Sequence, residues 1–106
     1  LSDSSFFTFS IITRFEILRG LKARNASRQM IAFDSFCKNN EILELNDAVV
    51  VRSADIYSTL HKTGQLVGDA DIIIAATALE HNLPLVTNNQ NHFNRISGLQ
   101  LLNWAV

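Results

Sequence analysis

At 106 residues the chain is sized for one compact domain, and a hydrophobic fraction of 47% supplies a core, which excludes an intrinsically disordered polymer. A net charge of −1 excludes a globally basic nucleic-acid-coating protein, and no apolar run approaches the ~20 residues of a membrane-spanning helix. A single cysteine, Cys37, excludes an internal disulfide, fits a reducing, cytoplasmic setting, and reads as a core-packing residue.

The chain opens at Leu1, and Asp3 stands where a signal peptide carries positive charge, so the apolar stretch Phe6–Ile12 reads as a strand running into a helix. Phe6-Phe7-Thr8-Phe9 is the strand. Ser10 caps a helix to about Lys22, with Ile11, Phe15, Leu18 and Leu21 as its apolar stripe. A second helix runs from about Ala26 to Asn39 and buries Met30, Phe33, Phe36 and Cys37; Asn39-Asn40 stops it. Glu41–Leu45 alternates as a strand. Asp47 caps a helix with Val50, Ala54, Tyr57 and Leu60 on one face, closed by Gly64. Asp69 caps the next helix, to about His81, which is apolar nearly all round and therefore expected to be buried. Leu85-Val86 is a short buried strand, Asn89–Arg95 an irregular or single-turn stretch, and Leu99–Leu102 a last strand before Trp104. Strands alternating with helices indicate an α/β fold with a mostly parallel sheet, whose ligands sit outside the carboxyl ends of the strands. The helix starts near Ser10 and Asp69 and the Thr87–Asn89 turn fall at that edge.

Charge is distributed unevenly: Arg14, Arg19, Lys22, Arg24 and Arg28 lie close together. Such a cluster suits phosphate, although a solvated helix face is the commoner use. Among the acids, Asp69 is placed to cap backbone N–H groups, whereas Asp71, inside the first turn of a buried helix, is placed in a cleft; charge–dipole stabilisation is its plainer role. Glu16 sits one and a half turns into the first helix with Thr13 on the same face, and a surface pair with Arg19 is its plainer role. Thr87 and Asn89 add neutral oxygens at a strand end, where turn formation is the bland alternative. Together these are hard oxygen donors of the kind preferred by Mg²⁺ or Mn²⁺. His61 and His81 suit helix C-termini; His92, near the same edge, suits a structural role, with a phosphate or the turn backbone as other partners. No Ser-His-Asp order, phosphate-binding glycine loop or zinc spacing is present.

The segment Gly64–Trp104 resembles the C-terminal half of PIN-domain ribonucleases of the VapC toxin type. The resemblance is carried by Gly68, Asp71, Ile74-Ala75-Ala76-Thr77-Ala78, Leu85-Val86-Thr87-Asn88-Asn89, Phe93, Gly98-Leu99 and Asn103-Trp104. Ser10–Gly20 is similar to the family's second strand and the Thr-x-x-Glu helix after it. The resemblance implies a PIN-like three-layer α/β domain spanning 1–106, with a mostly parallel central sheet flanked by helices. It also implies a metal-dependent endoribonuclease acting on RNA such as transfer RNA, a cognate antitoxin and a homodimer. Glu16 and Asp71 match the second and third acidic metal ligands, and Asn89 the fourth position, where an amide replaces a charge. Thr87 matches a supporting hydroxyl, and Mg²⁺ or Mn²⁺ is the implied cofactor.

One departure follows. The family's first strand, ending in an acidic ligand, has no counterpart here, so the chain is expected to lack the first strand and first helix and, as it stands, to cleave RNA little or not at all. An inactive PIN remnant that binds an antitoxin or completes a dimer is the alternative function. A non-nuclease α/β domain, with Asp71 only a helix-dipole partner, is a third.

Overall fold

In a computed structural model of the chain, residues 8–87 and 90–103 are described. They group into two compact units, one ending at Glu44 and the other beginning at Leu45. Phe6, Phe7, Asn88, Asn89 and Trp104 lie outside the described residues.

The first unit runs β1 (Thr8–Ser10), α1 (Ile11–Ala23), α2 (Ser27–Lys38) and β2 (Glu41–Leu43). β1 and β2 pair in parallel, Phe9 opposite Ile42, as a strand–helix–helix–strand crossover requires. Ser10 ends β1 and caps α1, its hydroxyl accepting from the Ile12 and Thr13 amides at 2.9 and 3.4 Å. The turn out of α1 is a Schellman motif with Asn25 in the left-handed region at φ 53°: the Asn25 and Ala26 amides donate to the Lys22 and Leu21 carbonyls. Packing is aromatic, with the rings of Phe9, Phe33 and Phe36 5.9 to 6.5 Å apart. The stripe expected on α1 is only partly buried, for Leu21 is covered but Phe15 is 56% exposed. Cys37 is buried, as a packing role requires.

The second unit contains α3 (Asp47–Lys62), α4 (Asp69–Glu80), β3 (Leu85–Thr87), α5 (Gln90–Phe93) and β4 (Leu101–Asn103). β3 and β4 are parallel, Val86 opposite Leu102. The core gathers Leu60, Ile72, Ala75, Phe93 and Ile96. Ala75 and Ala76 have no exposed surface, and side chains this small let α3 approach α4 closely. The expectation that α4 is buried nearly all round holds: Ile72 and Ile74 through Ala78 are covered, and the one hydroxyl among them, Thr77, donates to the Ile73 carbonyl at 2.7 Å.

Several local expectations are corrected. On α3 Leu60 is buried as expected, but the rest of the inward face is shifted by one residue: Val49 is buried with Ser53 and Ile56 beside it, while Val50 and Tyr57 are 48% and 46% exposed. Ser53 can occupy the covered face because its hydroxyl donates to the Val49 carbonyl at 2.7 Å. Helix α3 is capped by Asn46, whose Oδ1 accepts from the Val49 amide at 3.0 Å, so Asp47 moves into the first turn. Gly68, not Asp69, is the cap of α4, and Asp69 already lies in its first turn. β2 stops at Leu43, short of the expected Leu45, β4 begins at Leu101 rather than Leu99, and Leu85 and Val86 are half-buried rather than fully so. Gly64, at φ 70°, closes α3 as expected, with the Gly64 and Gln65 amides on the His61 and Leu60 carbonyls.

Candidate functional site

Asp71 occupies the first turn of α4, where backbone N–H groups favour a negative charge. Its neighbour Ile72 belongs to the core, which fixes the turn and leaves the Asp71 side chain 26% exposed. Phe93 belongs to the same core. Anchoring Ile72 and Phe93 together brings their chain neighbours together as well, so that His92 Nδ1 lies 3.2 Å from Asp71 Oδ2. With its proton on Nδ1, the imidazole donates to one carboxylate oxygen and orients the other. The sequence reading gave His92 no part in holding Asp71. The signal that finds it is parity: each residue immediately precedes a core residue of the same cluster.

Thr87 ends β3 at its carboxyl end, opposite Asn103 in the parallel register, and is half-buried. Asn89, two residues on, lies outside the described residues. Glu16 belongs to the first unit, on α1 beyond the Ser10 cap, and its side chain is 30% exposed. Its Oε2 is 3.8 Å from the Arg19 guanidinium, the surface pair anticipated from the i,i+3 spacing. Arg14, considered above with the phosphate-binding cations, is committed to packing. It donates to Cys37 Sγ at 3.1 Å and its guanidinium lies 5.7 Å from the Phe33 ring centre. His81 Nδ1 lies 2.9 Å from the Thr77 carbonyl at the end of α4, and His61 stacks on Tyr57, so both serve helix ends as expected.

The chemistry of the donors fits a hard cation. Each unit carries donors of that kind by itself: the Glu16 carboxylate in the first, and in the second the Asp71 carboxylate, oriented by His92, and the Thr87 hydroxyl. The charge is modest: among the described residues no group of three or more His, Cys, Asp and Glu side chains is placed to hold a metal ion. A groove of about 600 Å³ in the second unit, lined by Val51, Arg52, Asp55, Glu80 and Arg95 among others, contains none of these donors and is separate from the site.

Comparison with known proteins identifies the family. The PIN domain family model matches residues 2–99. Ribonuclease VapC1 of Methanocaldococcus jannaschii is 36% identical over 87 residues, 82% of this chain and 62% of that protein. Ribonuclease VapC2 of Haemophilus influenzae is 33% identical over 97 residues, 91% of this chain and 74% of the relative. The tRNA(fMet)-specific endonuclease VapC of Shigella flexneri is 29% identical, with the same coverage. Among solved structures, DNA-bound VapBC from Salmonella typhimurium superposes with a TM-score of 0.84 at 30% identity, over 92% of this chain and 74% of that one. VapBC-1 from nontypeable Haemophilus influenzae gives 0.86 at 28% identity, over 100% and 80%. A toxin–antitoxin complex from Klebsiella pneumoniae gives 0.65 at 26% identity, over 88% and 69%.

Proposed function

The chain belongs to the PIN-domain family, within its VapC type, and from that premise we propose that it serves as one PIN-like domain of a divalent-metal-dependent endoribonuclease. The observation that carries the reading is Asp71 in the first turn of a buried helix with His92 fastening its carboxylate, at the position that the sequence resemblance assigns to a metal ligand. Glu16, Asp71 and Asn89 are the residues that would hold Mg²⁺ or Mn²⁺, with Thr87 supporting them. Such an ion supplies charge neutralisation at the scissile phosphate and acidifies water. The part played by the chain's own groups is to present carboxylate oxygens in fixed orientations: Ser10 fixes the start of the helix that bears Glu16, and the core shared by Ile72 and Phe93 fixes Asp71 and His92.

Relatives named as ribonucleases and as a tRNA(fMet)-specific endonuclease support RNA, with transfer RNA as the substrate to test first. The neighbour described as a toxin–antitoxin complex supports a cognate antitoxin as partner. A homodimer is supported by the stripe of Val50, Ala54 and Tyr57 that α3 leaves exposed. No helix among the described residues is long and apolar enough to cross a membrane.

One observation favours a second reading, an inactive PIN module that binds antitoxin or completes a dimer: no group of three His, Cys, Asp and Glu side chains is assembled among the described residues. A single assay separates the two. The full-length gene product is incubated with transfer RNA in Mn²⁺, in Mg²⁺ and in EDTA, beside an Asp71→Asn variant. The nuclease reading expects metal-dependent cleavage reduced by roughly a hundredfold or more in the variant, the scale of losing a group that stabilises the transition state. Cleavage unchanged by the substitution removes Asp71 from the site, and no cleavage by the parent protein establishes the inactive module.

A further inference from the structure

Residues 17–33 contain four cations, Arg19, Lys22, Arg24 and Arg28, and no acid, so the remainder of a chain of net charge −1 carries a formal −5. The structure places this charge at one corner of the first unit. Lys22 lies in the last turn of α1, Arg24 is its C-cap, and Arg28 lies in the first turn of α2. All are exposed, and among the described residues no ion pair involves Lys22, Arg24 or Arg28. On α1, Phe15, Arg19 and Lys22 follow an i, i+4, i+7 spacing and share one helix face. Phe15 is 56% exposed, with the Arg19 guanidinium 5.3 Å from its ring centre.

We propose that this α1–α2 corner is a docking surface for the RNA backbone, with Lys22, Arg24 and Arg28 as phosphate contacts and Phe15 as a platform for one base. The proposal rests on the ribonuclease reading and adds where the substrate strand runs. From Glu16 to Lys22 the helix rises about 9 Å, farther than one phosphate from the next along a strand. The chain would thus grip the substrate beyond the point of attack. A flexible polyanion matches the corner better than an acidic protein surface does. The cations are separated by exposed polar residues, Asn25, Ser27 and Gln29, and an exposed ring beside a guanidinium is the arrangement on which bases stack without sequence preference.

The test measures binding rather than cleavage. Full-length protein carrying Asp71→Asn is titrated with a fluorescent single-stranded RNA, in EDTA, over a range of salt, with and without the added substitutions Lys22→Gln, Arg24→Gln and Arg28→Gln. Loss of three single-strand phosphate contacts is expected to lower the log–log salt slope by about 2 and to weaken binding at low salt by roughly tenfold or more. Lys38→Gln with Lys62→Gln, cations outside the corner, leaves the slope within about 0.7 of the parent. Phe15→Ala weakens binding with the slope retained, separating stacking from charge. A slope unmoved by the triple substitution overturns the proposal while leaving the ribonuclease reading standing if the wild type still cleaves. Absence of RNA binding by the parent also overturns the proposal, and the ribonuclease reading falls with it only if the wild type fails to cleave RNA in Mn²⁺ and Mg²⁺. Poly-glutamate captured by the corner, with RNA affinity unmoved, reassigns the surface to an acidic protein and also overturns the proposal.

Discussion

The two units solve the problem of holding a carboxylate in different ways. In the second, Asp71 is fixed by burial: its neighbour Ile72 is locked into a core with Leu60, Ala75, Phe93 and Ile96, and the same core delivers His92 to its carboxylate. In the first, Glu16 is fixed by a helix cap and a surface ion pair. The described residues that are fully covered there are Ser10, Leu21 and Cys37, and the aromatic rings of Phe33 and Phe36 remain partly open. The contrast teaches that precision at the candidate site is unevenly sourced. One candidate ligand inherits its position from packing, the other from local hydrogen bonds next to a surface rich in positive charge.

The largest test of that contrast is core truncation. Phe93→Ala is expected to destabilise the protein by about 3–5 kcal/mol, as for other fully buried rings, and to weaken Mn²⁺ binding because it releases His92 and Asp71. Phe33→Ala, at a half-buried ring, is expected to cost less than half as much; equal losses in urea unfolding would erase the distinction between the units. Next comes His92→Ala, expected to lower Mn²⁺ affinity in calorimetry by about tenfold, the scale for a residue that orients a ligand. His92→Gln, which keeps a donor, should recover part of the loss, and a variant binding as tightly as the parent would show that the Asp71–His92 contact does no orienting. Smallest is Ser10→Ala, which removes the α1 cap for about 1 kcal/mol. A thermal midpoint unchanged in that variant would mean that α1 takes its starting point from elsewhere.

What could be read from the residues, and what could not, follows the same physics. Helix α4 was legible because a run of Ile and Ala leaves a helix no polar face to turn outward. The parallel pairing was legible because helices intervene between the strands. The inward face of α3 was not: Ser53 looks like a surface residue until its hydroxyl is seen satisfied on the Val49 carbonyl. Where two cap-forming residues stand side by side, as Asn46 and Asp47 do, composition alone does not say which ends the extended backbone; the helix placed Asn46 outside and Asp47 where its charge meets the dipole. Of the site, Asp71 and Thr87 were legible as a helix start and a strand end, and His92 was not assigned, because 21 residues of chain separate it from Asp71 and only a shared core joins them.

The central proposal is that Glu16 and Asp71 act together in RNA cleavage. A double-mutant cycle on RNA cleavage tests it most directly, using the full-length protein with Glu16→Gln, Asp71→Asn and both together, in saturating Mn²⁺. Groups that act as a unit are strongly non-additive, so the account predicts that the double variant cleaves no more slowly than the worse single variant. Losses that multiply would show two independent contributions and contradict it.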